Sequence, residues 1–333
     1  MKPPAVKTSP SRKNGTAKRL CLFLVLLTLF LAPARGLCAD HEAYSLIEDG
    51  QLSPHEEGIH HYMLLCIDAW NVDLRKQGYH TDGLILVTVD EIARRVMLTS
   101  FIRDMLIVRP DGEWGRINNI FYLNGQDASA MQKLLYTINR HFDLDIEKYI
   151  AVDFSSVESI VDAVGGVDIT ISAREARYLK NYSISPSSTT PAIDSAGTYH
   201  FSGHAAVIYM RIRKVATLSG STQDVGRTER ARTVLTTIAD SLKDITYEEA
   251  LDLLDVIMDK TIMTNMTGDD YMNALALALD VKGTEVESIR MPVDGTYRLE
   301  PEAGMSTQWI NTAANREALH EFLFGTTFGV VDE

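Results

Sequence analysis

The stretch GLILVTVDEIARRVMLTSF (residues 83–101) sets two apolar runs on either side of a short charged turn. Gly83–Val89 and Val96–Phe101 are too short for core helices and are rich in β-branched residues, so they read as strands joined by the tight segment Asp90–Arg95. In such a hairpin, residues whose numbers sum to about 184 face each other. Asp82, at the start of one strand, then lies beside Arg103, at the end of the other. Upstream, His60–Ile67 (HHYMLLCI) reads as a further strand ending at Asp68.

Downstream the pattern alternates. Gln126–Phe142 carries Met131, Leu134, Leu135, Ile138 and Phe142 on one helical face. Tyr149–Phe154 reads as a strand, and Ser155–Val164 as a short helix capped by Ser155 and closed by Gly165. Val167–Ile171 is another strand, and residues 181–197, rich in Ser, Thr and Pro, form a surface loop. Ser202 caps a helix through Met210, Val225–Lys243 is a long helix, and Thr246 with Glu249 makes a capping box before a helix to about Ile262. Thr267–Leu279 is helical, Glu285–Met291 a strand, and Asn311–Phe324 a closing helix. Strands alternating with helices predict one α/β domain with helices packed on a sheet.

The ends have a different character. Lys2, Lys7, Arg12, Lys13, Lys18 and Arg19 precede the apolar run Leu20–Ala32, the pattern of an export signal or an N-terminal anchor. The domain expectation is therefore a targeting segment at 1–39, a polar linker at 40–58, the folded domain at 59–325 and a tail at 326–333. Either fate of the leader places the bulk of the chain at the outer face of the cytoplasmic membrane or in the wall. Cys21 and Cys38 fall in the leader, which leaves Cys66 as a core thiol.

The formal net charge is −13 over 333 residues, and beyond residue 19 the chain carries 26 basic against 45 acidic side chains. Against that background Arg211, Arg213, Arg227, Arg230 and Arg232 crowd into 22 residues. Guanidinium is a planar fork of donors suited to phosphate or carboxylate. A small, highly charged anion is the expected ligand. Nucleic acid is excluded as a partner, because a duplex needs a broad basic footprint.

On the helix from Val225, Arg227 falls on the seam of Val234, Ile238 and Leu242, with Arg230 flanking it and Arg232 pointing away to solvent. A seam arginine in the first turn seats either an anion or an internal carboxylate. Arg211 and Arg213 converge on one ligand only if their helix ends near Met210 and the chain then extends. Asp68, Asp82 and Asp104 lie at predicted strand ends, where side chains gather around a crevice. Two such carboxylates together suit a divalent cation with oxygen ligands. No Walker sequence, dinucleotide fingerprint or HExxH spacing is present.

In order along the chain, LLCID (64–68), Thr81-Asp82, SFIRD (100–104), RIN (116–118), GGVDI (165–169), GHAAVIYMRIR (203–213) and DVGRTERAR (224–232) resemble the LytR-CpsA-Psr family of cell-envelope phosphotransferases. The resemblance implies an α/β/α sandwich with a central mixed sheet and an apolar lipid-binding tunnel. It implies transfer of a glycopolymer, of teichoic acid or capsular type, from a polyprenyl-pyrophosphate carrier to a peptidoglycan sugar hydroxyl, forming a phosphodiester. The alternatives are a polyprenyl-pyrophosphate hydrolase and a non-catalytic lipid-pyrophosphate binder. Carried over by position, Asp68 and Asp82 match the Mg2+ ligands. Arg103, Arg211, Arg213 and Arg227 match the pyrophosphate grip, with Arg230 beside them, and Asp82 or Asp104 is the proton acceptor. Ala231 stands where the family usually has Gln, Ile102 where it favours Pro, and Arg116 where it favours Lys.

Overall fold

The structure, a computed structural model, describes residues 46, 52, 56–182, 193–302 and 305–325. The chain divides into Met1–His41 and Glu42–Glu333, and every described residue falls in the second unit. The expected leader, most of the linker and the tail lie outside the described residues, as does most of the Ser/Thr/Pro loop. No helix among the described residues is long and apolar enough to cross a membrane.

The elements run β1 (Ile59–Ile67), β2 (Thr81–Asp90), β3 (Arg95–Phe101), β4 (Met105–Val108), β5 (Trp114–Arg116), α1 (Asn119–Leu123), α2 (Ala128–Phe142), β6 (Lys148–Val152), α3 (Phe154–Ala163), β7 (Val167–Ile171) and α4 (Ala173–Leu179). They continue with β8 (Gly197–Phe201), α5 (Gly203–Met210), α6 (Gln223–Ser241), α7 (Tyr247–Lys260), β9 (Met263–Thr264), α8 (Gly268–Asp280), β10 (Val286–Met291), β11 (Tyr297–Glu302), β12 (Met305–Ile310) and α9 (Thr312–Phe324). A six-stranded sheet in the order β10-β3-β2-β1-β6-β9 forms the centre. It is mixed: β1 pairs antiparallel with β2 but parallel with β6, and β3 pairs parallel with β10. A four-stranded sheet, β11-β12-β4-β5, and a β7-β8 ribbon flank it.

Strand β1 shows why the sheet has two unlike faces. Ile59, His61, Met63, Leu65 and Ile67 are buried, while His60, Tyr62, Leu64 and Cys66 between them are only half-buried. Of the buried set, Met63, Leu65 and Ile67 pack with Leu86, Met97, Met131, Leu134, Ile138, Phe142, Leu319 and Leu323 in one core cluster, beneath α2 and α9. The opposite face meets α6, which touches both β3 and β10. Helices on both faces of a mixed sheet give the expected α/β/α layering. A second core, including Val161, Ile169, Phe201, Tyr209 and Val234, joins α3 and α5 to the ribbon and α6.

The β2–β3 hairpin forms, with a register one step from the expected one. Ile85 faces Ser100, Leu86 faces Thr99 and Val89 faces Val96, so partners sum to 185. That register places Asp82 level with Arg103 once the strands end. The caps at Ser202 and Thr246 are as read from the sequence, and Thr267 and Asn311, read as the first residues of their helices, are N-caps as well. The cap of α3 is not Ser155 but Asp153, whose carboxylate accepts from the Ser156 backbone and hydroxyl and from Val72 N. His61 is buried against Thr88, because odd positions of β1 face the core. At Gly203 a Cβ would stand 2.0 Å from the Glu158 carbonyl, so only glycine lets α5 cross this close to α3.

Candidate active site

Asp68 follows β1, Asp82 is the second residue of β2, and Arg103 and Asp104 lie in the gap between β3 and β4. Strand pairing alone brings these four to one end of the central sheet. The fifth contributor is α6, whose first turn delivers Asp224 and Arg227 to the same place. Helix α5 ends at Met210, as convergence required, with Arg211 as its C-cap and Arg213 two residues beyond.

Asp82 is the hub. Its Oδ2 accepts from Arg103 Nη1 and, at 3.1 Å, from Arg227 Nη1, and its Oδ1 accepts from Asn118 Nδ2 at 2.9 Å. Arg227 Nη2 also donates to the Asp82 carbonyl at 3.0 Å. Asp224 is a second hub, meeting Arg213 at 2.7 Å, Arg103 Nε at 3.0 Å and Arg227 at 3.4 Å. Asp104 pairs with Arg116 at 2.8 Å, with Arg103 Nε 3.7 Å away. Arg211 stands over the Phe154 ring, 4.5 Å from its centroid, and its charge acts on Asp68.

The four carboxylates act on one another in two pairs, Asp68 with Asp82 and Asp104 with Asp224. In each pair the environment splits the two partners apart. Burial opposes the charge on Asp82, but Arg227 and Arg103 outweigh it and hold the carboxyl well below the usual range. For Asp68, desolvation and then the like charge of Asp82 push the carboxyl up. Burial raises Asp104, with Arg103 working against it and Asp224 adding to it, whereas Arg227, Arg103 and Arg213 overcome burial to lower Asp224. Beside them, burial and then Asp68 push the Cys66 thiol up to about 12, which keeps it an unreactive thiol.

Arg230 is corrected out of the pyrophosphate grip. It is completely buried, with Nε donating to Glu175 at 2.9 Å and the two terminal nitrogens donating to the carbonyls of Ile212 and Val215. Arg232 is corrected too: it faces the sheet, and its Nη1 donates to Ser100 Oγ. Both errors have one cause. The seam was drawn through Val234, Ile238 and Leu242, but α6 lies between the β7 ribbon and strands β3 and β10, so two faces are covered. Gly226, Arg230 and Val234 form the face buried against the ribbon.

Asp224 and Asn118 were not singled out as site residues. Asp224 carried a usable signal, since a carboxylate one turn before Arg227 on a helix is within pairing distance. Asn118 lies in RIN, with nothing in its local sequence to separate it from a cap. Asp68 and Asp82 offer adjacent hard oxygen donors, a set that fits a Mg2+ ion taking one or two carboxylates plus substrate oxygens. Among the described residues no group of three or more ligating side chains gathers as a metal site built by protein alone.

Comparison with known proteins follows this geometry. The chain is 21% identical to the polyisoprenyl-teichoic acid–peptidoglycan teichoic acid transferase TagV of Bacillus subtilis (strain 168), over 86% of this chain and 75% of that protein. It is 27% identical to the polyisoprenyl-teichoic acid–peptidoglycan teichoic acid transferase TagU of Oceanobacillus iheyensis, over 66% of this chain and 67% of that protein. The crystal structure of B. subtilis TagT superposes with a TM-score of 0.61 at 18% identity, covering 85% of this chain and 100% of that one. A structure of TagT with bound octaprenyl pyrophosphate lipid gives 0.57 at 17%, covering 83% and 95%. The signature of the LytR_cpsA_psr family matches residues 53–320, which takes in the central sheet, both carboxylate pairs and the arginines between them. The chain belongs to the LytR-CpsA-Psr family.

Proposed function

We propose that this protein transfers a glycopolymer phosphate from a polyprenyl-pyrophosphate carrier to a sugar hydroxyl of peptidoglycan, at the outer face of the membrane. The observation that carries the reading is the pair of split carboxylate pairs interleaved with Arg103 and Arg227 at the sheet end. Phosphoryl transfer asks a protein mainly to position its reactants and to neutralise charge. The TagV and TagU names and the lipid bound to TagT point the same way.

Each residue has a task that its environment suits. Arg103, Arg211, Arg213 and Arg227 bind the pyrophosphate; Arg103 and Arg227 are already held in place by Asp82 and Asp224, so little reorganisation accompanies binding. Asp68 and Asp82 would hold Mg2+, which supplies further charge neutralisation to the phosphate oxygens. Asp82, already accepting from three donors and held low, is a poor proton acceptor. Asp104, pushed up by burial, is the better of the two candidates for taking the hydroxyl proton. Below the crevice, the half-buried Leu64, Cys66, Val87 and Ile150 leave an apolar face suited to a prenyl chain. At the β9 edge lies a cavity of about 300 Å3 lined by Met258, Ile262, Met263, Met266 and Tyr271 among others.

The test is to incubate the purified chain with a short polyprenyl-pyrophosphate oligosaccharide, a peptidoglycan oligomer and Mg2+. A covalent oligosaccharide–peptidoglycan adduct is expected. Release of polyprenyl phosphate with no adduct would replace transfer by hydrolysis, and binding without turnover would reduce the protein to a carrier.

A further inference from the structure

Trp70 is an indole two residues beyond Asp68 that the pyrophosphate grip does not use. It is 36% exposed, and it belongs neither to the two core clusters nor to the half-buried side chains packed on them. Phe154 meets its ring edge-on at 5.4 Å and 63°, and His204, paired through Nδ1 with the Glu158 carboxylate, lies at 5.8 Å and 37°. Arg211 stands over the same Phe154 ring, which ties the indole to the crevice. The backbone on either side is fastened to the start of α3. Phe154 N donates to the Ala69 carbonyl at 3.0 Å, Asn71 N to Ser155 Oγ at 3.2 Å and Val72 N to Asp153 at 2.7 Å. Asn71 takes a left-handed φ of 50°, which Asn tolerates better than most residues. The loop thus holds an indole in water at the crevice rim in one fixed direction, and large aromatics so placed are anchors for a partner.

Strand order fixes its place relative to the chemistry. β1 and β3 flank β2, both antiparallel to it, so both end at the crevice. Trp70 stands three residues beyond the end of β1, and Asp104 three residues beyond the end of β3. Two strand spacings, roughly 10 Å, separate those ends. Along β1 the order is Leu64 and Cys66 on the apolar face, then Asp68, then Trp70. A prenyl chain running back along β1 lies on one side of Asp68. In an in-line displacement the attacking oxygen enters opposite the leaving one. The acceptor therefore arrives on the side of Trp70 and Asp104.

We propose that Trp70 seats the acceptor: one pyranose ring of the peptidoglycan glycan strand stacks on the indole, and a hydroxyl of the neighbouring ring reaches the phosphorus beside Asp104. This rests on the transferase reading. The glycan is a chain of β-linked hexosamine rings with equatorial substituents, so each ring has a bare face of axial C–H groups. Those hydrogens carry partial positive charge and match the negative face of an indole. The half-buried His204 and the exposed Asn71 stand beside the ring as hydrogen-bonding groups for its hydroxyl edge. A disaccharide repeat bridges the interval between Trp70 and Asp104. In the reaction the acceptor oxygen bonds to the sugar-side phosphorus, and the bridging P–O bond breaks with its electrons going to the prenyl phosphate. The hydroxyl proton goes to Asp104.

Calorimetric titration of the full chain with a soluble peptidoglycan tetrasaccharide tests the assignment, with a short polyprenyl-pyrophosphate oligosaccharide titrated separately. Trp70→Ala should weaken the tetrasaccharide about tenfold or more, the scale of one aromatic anchor, and leave the carrier affinity unchanged. Trp70→Tyr should keep part of the affinity. In turnover, Trp70→Ala should raise KM for peptidoglycan and not for the carrier. Trp70→Leu, which keeps apolar packing on Phe154, serves as the second variant if Trp70→Ala does not fold. Unchanged tetrasaccharide affinity in the folded variant, or no tetrasaccharide binding by the wild type, would overturn the assignment, even in a protein that forms adduct. A loss confined to the carrier would overturn it as well, giving the indole to the carrier's own sugar. Tetrasaccharide binding lost in Trp70→Ala, in a wild type that forms no adduct, would overturn the transferase reading and keep the peptidoglycan seat.

Discussion

Arg227 and Arg230 lie one turn apart on α6 and meet opposite fates. Arg230 is sealed: Glu175 and two carbonyls take its donors, and no solvent reaches it. Arg227 stands at the edge of a crevice where carboxylates act on carboxylates and each pair is split in its proton affinity. The first arrangement is finished within the protein, so it can only hold α6 against α4 and the segment after α5. The second carries unresolved like-charge contacts, which a cation and a pyrophosphate would relieve together. Completed pairing marks structure, and frustrated pairing marks a site.

The contrast can be broken by substitution. Arg230→Met leaves the buried Glu175 with no cationic partner, only the Ser172 N–H of its capping box, and should cost about 3–5 kcal/mol of stability, read as a large fall in the thermal unfolding midpoint. Adding Glu175→Leu should recover much of that loss. Arg227→Ala should leave the fold nearly intact while lowering transfer by about 10²–10³, measured as kcat/KM. Equal effects on stability at both positions would erase the distinction between them.

Acid sharpens it further. Asp82 has a depressed carboxyl, so the stability from its ion pairs is present above the usual carboxylate range and is lost as pH falls below it. Asp82→Asn should flatten the acid limb of the stability curve. Asp104 has the opposite sign: raised, it releases its proton only above the ordinary carboxylate range. The acid limb of the transfer rate should therefore sit above that range and vanish in Asp104→Asn. The smallest effect belongs to the exposed pair Arg94–Asp280, at 2.8 Å. Breaking it with Asp280→Asn should change stability by about 0.2–1 kcal/mol, as chemical denaturation would show.

Much of this was legible in the chain. The three leading strands, the hairpin and the caps at Ser202 and Thr246 follow from local periodicity and cap chemistry. The second sheet was not legible: β4 and β5 have four and three residues, too short for any period, and they exist because β12 pairs with β4. The hairpin register fell one step away, since turn length alone does not decide between neighbouring registers. Asp68, Asp82, Arg103 and Asp104 could be gathered from strand ends. Arg230 and Arg232 could not be sorted, because a helix covered on two sides has no single wet face.

The most direct test of the central claim is phosphorus NMR of peptidoglycan recovered after reaction with the carrier-linked oligosaccharide and Mg2+, comparing wild type with Asp82→Ala. The account predicts a phosphodiester signal joining oligosaccharide to peptidoglycan in the wild type and none in the variant. The same signal from both proteins, or from neither, would contradict it.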